Sequence, residues 1–389
     1  MLNIDFGPVD MFVSRTTAAV RFDTVPGTTA ITTAITTEST EIMADQLNRQ
    51  IRLMKRPDGP IKDSDFATTE EPLQALEENQ VRLQNLYFAL DPALRGWMDD
   101  FNDSYIPPVP LGSVMLTTCI SRVIESNNTD YPLGSITRGL GAWELFSTVG
   151  AGGSRQVPGL EILDIDPAIP LSNYLSICGT TGLTSYFGML DVGVPKDGET
   201  ILVSGAAGAV GSVAGQLAKR AANCRVVGLA GSEEKCAWLR NELGFDVAIN
   251  YRESSDMRAT LAEACPEGID LFFDNVGGEI LDAALLNLNF KARVLMCGTI
   301  SNYNNEVDDR AGPANMWQLL VKNARIEGFT VAYFAERWAE GTAELASMVK
   351  NGELKHKEQI VEGLDNTLDT FRGLFNGANQ GRLIIKLAD

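Results

Sequence analysis

The run ILVSGAAGAVGSVAGQLAKR, residues 201–220, decides the fold. It opens as an apolar, β-branched strand, breaks at Gly205, and continues with helical spacing from about Ala209 to Ala222. Gly205, Gly208 and Gly211 recur every third position, in the strand–turn–helix context that a dinucleotide-binding turn requires. Each glycine has a physical task. The first permits the tight turn, the second lets backbone N–H groups approach a pyrophosphate, and the third allows close helix–strand packing. The partial positive charge at the helix start favours phosphate there. A tight turn without any ligand would also use small residues such as Ala206, Ala207 and Ala209.

Downstream the pattern is regular. CRVVGLA, VAINY, IDLFFDNV, ARVLMCGTI and RIEGFTV read as strands, alternating with the helical stretches EEKCAWLRNELG, SDMRATLAEAC, GEILDAALLNL and ANMWQLLVKNA. Strands alternating with helices of this length imply crossover units and a parallel, doubly wound α/β sheet of Rossmann type. Upstream, LSNYLSICGTTGLTSYFGML (171–190) reads as a helix interrupted by Gly179 and Gly182. Before it, QIRLMKRP, VRLQNLYFAL and VMLTTCISRVIES carry apolar and β-branched residues between Pro, Gly, Asn and Asp, the mark of a mostly-β domain. EQIVEGL and RLIIKLAD are strands around the helix DNTLDTFRGLF, and are expected to return to that first domain. The expected division is therefore 43–170 plus 355–389 for the β domain and 171–354 for the Rossmann domain. Residues 1–42, with the Thr-rich TTAITTAITTEST, read as a flexible extension or an upstream start preceding Met43.

Composition narrows the partners. A formal charge of −19 argues against nucleic acid, whose phosphates would be repelled. No apolar run reaches the ~18–20 residues that span a bilayer, so no membrane partner is expected. Six cysteines occur without a C-x-x-C pair, which reads as reduced thiols in a cytoplasmic protein. N102-D-S and N127-N-T then match glycosylation acceptors by chance. His356 is the one histidine, so no metal site is expected.

LAGSEEK, residues 229–235, identifies the ligand. In an NAD site a carboxylate at the end of the second strand accepts hydrogen bonds from the ribose hydroxyls. Here that place holds Gly231 and Ser232, with Lys235 one turn on. An open glycine, a hydroxyl donor and a cation suit the 2′-phosphate of NADP, which a carboxylate would repel. Lys235 also reads as a solvated residue on a surface helix, and Glu233 and Glu234 as favourable charges in a first turn.

GLTSYFGMLDVGVPKDGETILVSGAAGAVGSVAGQLAK, VVGLAGSEEKCAWLRNELGFDVAINY, FDNVGGEILDAAL and MCGTISNYN together resemble the zinc-independent medium-chain dehydrogenase/reductases. The closest likeness is to their prostaglandin, alkenal and curcumin double-bond reductases. It spans about 43–389 and is strongest over 179–330. The resemblance implies a GroES-like substrate domain, a Rossmann domain, NADPH, and a homodimer formed through the Rossmann sheet. It places the pyrophosphate on Gly205, Ala207, Gly208, Ala209, Val210 and Gly211, and the adenosine end on Gly231, Ser232, Lys235 and Tyr251. Asn275, Val276 and Gly277, then Cys297, Gly298 and Thr299, match strand ends lining the nicotinamide half. Phe329 and Asn379 resemble further cofactor contacts, and Tyr87 and Tyr303 match tyrosines at the substrate mouth.

The implied reaction delivers hydride from NADPH to the β-carbon of an enone or enal. Negative charge then develops on the carbonyl oxygen, where a tyrosine or the cofactor's ribose hydroxyl can donate. A proton reaches the α-carbon from water or a tyrosine. Tyr303 fits equally as a loop aromatic packed on the cofactor, and Tyr87 as core at strand spacing. VMLTTCISRVIES (114–126) and LGSITRGLGAWELF (133–146), with Trp143-Glu144, depart from the family's usual pattern. The departures leave two other readings open: a quinone reductase of the same superfamily, and an NADPH-binding protein without turnover.

Overall fold

The computed structural model describes residues 46–100, 106–150, 159–305 and 312–389. The expected extension 1–42 and the Asn102 triplet lie outside them. The first strands are β1 (Leu47–Leu53) and β2 (Phe66–Pro72), an antiparallel pair. They are followed by β3 (Gln80–Leu90), β4 (Leu116–Ser126), β5 (Ile136–Ala142), β6 (Phe146–Gly150) and β7 (Glu161–Ile162). Helix α1 (Thr180–Phe187) leads into β8 (Thr200–Val203). Then α2 (Gly211–Ala221), β9 (Arg225–Ala230), α3 (Glu233–Asn241), β10 (Val247–Asn250), α4 (Met257–Ala264) and β11 (Ile269–Asp274) alternate. The alternation continues through α5 (Gly278–Leu285), β12 (Leu288–Met296), α6 (Trp317–Lys322) and β13 (Arg325–Gly328). The chain finishes with α7 (Trp338–Lys350), β14 (Glu358–Glu362), α8 (Thr367–Asn376) and β15 (Arg382–Lys386).

Strands β8 to β13 make one all-parallel sheet in the order β10-β9-β8-β11-β12-β13. The order reverses beside β8, so a crevice opens at the carboxyl ends of β8 and β11, where doubly wound sheets bind ligands. Both faces of this sheet are covered, which explains its near-continuous apolar strands. Ile201, Val203, Leu271 and Phe273 face one core, while Leu202, Phe272 and Val294 face the other. Burying each such side chain contributes about 1.5–3 kcal/mol.

The other sheet runs β14-β15-β3-β4-β5-β7, with β6 also on β3. Only β14 and β15 are parallel there, and β15 lies antiparallel to β3. The C-terminal strands therefore sit in the sheet built by the N-terminal part of the described chain. On β3 the alternation is strict: Phe88 and Leu90 enter the core around Trp143 and Phe371, whereas Tyr87 and Ala89 face the core shared with the parallel sheet. Trp143 packs against Phe66 and Phe371 with ring centroids 5.9 and 5.6 Å away. Its neighbour Glu144 is buried and accepts from Asn48 Nδ2 (2.9 Å), Gln50 Nε2 (2.6 Å) and Ser147 Oγ (2.8 Å). The Trp143-Glu144 departure thus serves packing of β1 against the sheet.

Two details differ from the sequence reading. Residues 171–190 are not one interrupted helix: a 3-10 turn (Leu171–Leu175) precedes α1, and a π-helical turn (Gly188–Gly193) follows it. Gly182 is needed because a Cβ there would lie 1.7 Å from the Ile177 carbonyl oxygen. Helix α7 carried no expectation; it buries Gly341 and Leu345.

Candidate cofactor and substrate site

A cavity of about 910 Å³ lies along the carboxyl ends of β8, β9, β11 and β12 and is closed by segments of the antiparallel sheet. Its floor is the glycine turn. Gly205 holds φ +57°, the left-handed conformation that favours glycine. A Cβ at Gly211 would stand 2.5 Å from the Gly205 carbonyl oxygen and 2.8 Å from Ala206 Cα, so only glycine lets α2 start this close to β8. Gly205, Ala207, Gly208, Ala209, Val210 and Gly211 all line the cavity. The C-terminal segment laps over the turn: the Gly381 N–H donates to Ala207 O (3.0 Å), and Asn379 and Gly381 join the wall.

At one end stand Gly231, Lys235 and Tyr251. Ser232 caps α3 by accepting from the Lys235 N–H (3.3 Å), which begins the helix and sets the Lys235 side chain toward the cavity. A Cβ at Gly231 would lie 3.0 Å from the Tyr251 hydroxyl, so the glycine leaves the space that a ribose substituent needs. Lys235 Nζ donates to Gly377 O (2.9 Å). Burial, and then the adjacent Arg252, lower its pKa below the ordinary lysine value.

In the middle, a buried carboxylate shapes the strand ends. Asp274 accepts from Ser204 Oγ (2.7 Å) and from the N–H groups of Val276 (2.9 Å) and Gly277 (3.1 Å). Asn275 Nδ2 donates to Ser204 O (2.7 Å), tying β11 to β8. Burial pushes the Asp274 pKa upward. Cys297 lines the same stretch, and burial followed by Asp274 pushes its thiol up to about 12, so it stays protonated and is no nucleophile at neutral pH. Phe329 packs over Gly188, where a Cβ would come within 2.3 Å of the ring, so the glycine lets the ring settle against the cavity.

At the far end Tyr303 Oη accepts from the Thr299 N–H (3.2 Å). The Thr299 side chain also meets this hydroxyl, and burial raises the phenol's pKa. The surrounding wall is mostly apolar, with Leu90, Trp97, Leu140, Val331, Trp338 and Phe375. Arg138 is buried there, but it is held by Glu161 (2.7 Å) and by the Tyr174 and Cys178 carbonyls.

The structure thus brings most of the sequence-selected residues to one cavity: the turn residues, Gly231, Lys235, Tyr251, Asn275, Val276, Cys297, Gly298, Tyr303, Phe329 and Asn379. Ser232, Gly277 and Thr299 stand behind the wall, acting through the backbone contacts above. Tyr87 does not line the cavity; the register of β3 against β15, Tyr87 opposite Lys386, turns it into the inter-sheet core. Sequence reasoning missed Ser204, Asp274, Thr180, Thr181, Arg138 and Trp338. Asp274 alone carried a signal, as the acid ending the strand IDLFFD.

A glycine turn at the switch point of a doubly wound sheet, facing an apolar wall from the second sheet, defines a dinucleotide-dependent oxidoreductase. Residues 49–157 match the family described as "N-terminal domain of oxidoreductase", and residues 209–347 that described as "Zinc-binding dehydrogenase". The chain is 40% identical to the NADPH-dependent curcumin reductase of Escherichia coli over 88% of this chain and 98% of that one. It is 35% identical to the NADP-dependent 2-alkenal reductase of Nicotiana tabacum, covering 89% and 99%. The crystal structure of CurA from Vibrio vulnificus in complex with NADPH superposes with a TM-score of 0.80 at 35% identity, covering 88% of this chain and 99% of that one. The chain belongs to the medium-chain dehydrogenase/reductases, in their zinc-independent double-bond reductase branch. The residues present do not fit the zinc of the domain description: among those described, no three His, Cys, Asp or Glu side chains gather.

Proposed function

We propose that this enzyme reduces the carbon–carbon double bond of α,β-unsaturated aldehydes and ketones with NADPH. The observation that carries the reading is the polarity of one continuous cavity. It has Lys235, which forms no ion pair among the described residues, beside an open glycine at one end, and the buried Tyr303 phenol in a mostly apolar chamber at the other. Bound NADPH supplies the hydride that the β-carbon accepts. The protein's part is to hold, orient and protonate. The glycine turn and the α2 N-terminus hold the pyrophosphate, and the Asp274 network keeps Asn275 and Val276 at the nicotinamide half. The apolar wall excludes water and strengthens any hydrogen bond to the carbonyl oxygen, where negative charge develops. Tyr303, kept neutral by burial, donates to that oxygen or delivers the proton to the α-carbon.

The same reading divides the chain into a GroES-like domain, 43–170 plus 355–389, and a Rossmann domain, 171–354. The pairing of β14 and β15 with β3 supports it. It also makes the protein a homodimer. Strand β13 is the edge of the parallel sheet, and beside it α6 exposes Trp317, Leu320 and Val321 to 58%, 82% and 52%. A contiguous apolar face next to an open edge strand is one that a second copy would cover. Leu320→Glu is expected to shift the protein to a monomer in light-scattering chromatography. We place the protein in the cytoplasm: all six thiols are free, and no helix among the described residues is long and apolar enough to cross a membrane.

The test is purified full-length protein with NADPH and a panel of alkenals, enones and quinones, following cofactor oxidation and identifying products by mass. Saturated aldehydes and ketones are expected. Tight NADPH binding with no oxidation across the panel overturns the enzyme reading, and turnover confined to quinones replaces the substrate class.

A further inference from the structure

Lys235 has a companion that no resemblance pointed to. Arg252, the residue after Tyr251, does not line the cavity but stands beside the same subsite. Its Nε is 3.4 Å from where a Cβ of Gly231 would be, and its guanidinium stands 5.9 Å from the Tyr251 ring. The two cations are held in the same way. Lys235 Nζ donates to Gly377 O (2.9 Å) and Arg252 Nη2 to Asn376 O (2.6 Å), the last carbonyls of α8. Among the described residues neither forms an ion pair. Glu233 pairs with Arg240 and Glu253 accepts from Asn250 Nδ2 (2.5 Å), while Glu234 bears on Lys235 through its charge without an ion pair. Two like charges side by side, satisfied only by neutral carbonyls, repel one another. In a chain of formal charge −19 with carboxylates in excess, two adjacent cations that donate only to neutral carbonyls are suited to an anion of two charges.

We propose that Arg252 is the second cation on the 2′-phosphate of NADPH, and that the α8 C-terminal carbonyls hold Arg252 and Lys235 in position before the phosphate arrives. The proposal rests on the NADPH reading of the cavity and adds to it a residue and a device. A 2′-phosphate carries close to two negative charges at neutral pH, which one lysine leaves half neutralised. A guanidinium offers it paired donors. Carbonyls are suitable place-holders, because they fix donor direction without the strength of a carboxylate, so an incoming dianion displaces them. Gly377 completes the arrangement. It caps α8 at φ +71°, and a Cβ there would come within 3.1 Å of Arg252 Nη2, so a side chain would push the guanidinium aside.

The experiment is calorimetric titration of the full chain and of Arg252→Gln and Arg252→Lys with NADPH, NADH, 2′,5′-ADP and 5′-AMP. Arg252 is exposed, so both variants are expected to melt with the wild type. For Arg252→Gln, affinity for NADPH and 2′,5′-ADP is expected to fall about 10–100-fold, while NADH and 5′-AMP stay within about twofold. Arg252→Lys should recover part of the loss, since it keeps the charge but not the paired donors. The proposal is overturned if Arg252→Gln keeps the wild-type preference for NADPH, or weakens all four ligands alike. If the wild type itself binds 2′,5′-ADP no better than 5′-AMP, the NADPH reading fails instead, a result separable from the first.

Discussion

The two ends of the cavity are built in opposite ways. The Lys235 end takes its side chains from two neighbouring junctions, Gly231, Ser232 and Lys235 from one and Tyr251 and Arg252 from the next, with only backbone carbonyls reaching in from α8. Its polar groups are cations and hydroxyls, and its shape comes from a missing side chain. The proposed reducing end is assembled from distant segments: Leu90, Leu140, Tyr303 and Val331 share one cavity only because two sheets meet. It is mostly apolar, and Tyr303 is the group proposed to donate the proton there. A site made by neighbours in sequence tolerates change elsewhere in the fold. A site made by convergence depends on every element that carries a piece of it.

That contrast can be broken most severely at the floor the two ends share. Gly211→Val forces a branched side chain against the Gly205 carbonyl oxygen and Ala206 Cα. An overpacking cost of at least about 3 kcal/mol is expected. NADPH and NADH titrations should both lose more than about 100-fold in affinity; retention of either would mean that the turn has room to relax.

At the reducing end, Tyr303→Phe is expected to lower kcat about 10–100-fold, within the usual reach of a general acid, and to leave the NADPH dissociation constant unchanged. The pH profile adds a sign. Burial raises the phenol's pKa above its ordinary value of 10.0, so the proton-bearing form persists through the neutral and mildly alkaline range. Wild-type kcat should therefore stay flat and fall only above about pH 10, and the variant should lack that fall. A fall near neutrality would assign the proton to another group.

At the adenosine end, Lys235→Ala should weaken NADPH binding by about 1–3 kcal/mol while barely touching NADH. Equal losses would remove Lys235 from the 2′-phosphate. The smallest effect belongs to Tyr87→Phe. Its side chain faces the inter-sheet core rather than the cavity, so turnover should stay within about twofold, with any change appearing as a surface-scale shift in stability of about 0.5 kcal/mol. A large loss of kcat would return Tyr87 to the substrate mouth.

Legibility followed the same division. The glycine turn, the alternation from β8 to β13 and the open junction at Gly231 could all be read directly. In each, the physical requirement is local: a close backbone approach, a buried strand, an absent carboxylate. Where the requirement was long-range, reading along the chain faltered. Tyr87 and Phe88 were indistinguishable as neighbours on an apolar strand, and only pairing of β3 with β15 and β4 settled which one faced which core. Arg138 and Trp338 enter the chamber wall from opposite parts of the chain, 5.7 Å apart, with no motif to announce either.

By itself, then, the sequence determined the fold class, the phosphate-binding turn and the choice of a phosphorylated ribose, because glycine spacing and the absence of an acid act over a few residues. The tertiary structure decided which of the two tyrosines lines the cavity, that Asp274 and Ser204 tie the strand ends together, and that α8 carbonyls accept from Lys235 and Arg252. Those are relations between segments as much as 142 residues apart. Only packing of two sheets around one cavity brings them within hydrogen-bonding distance.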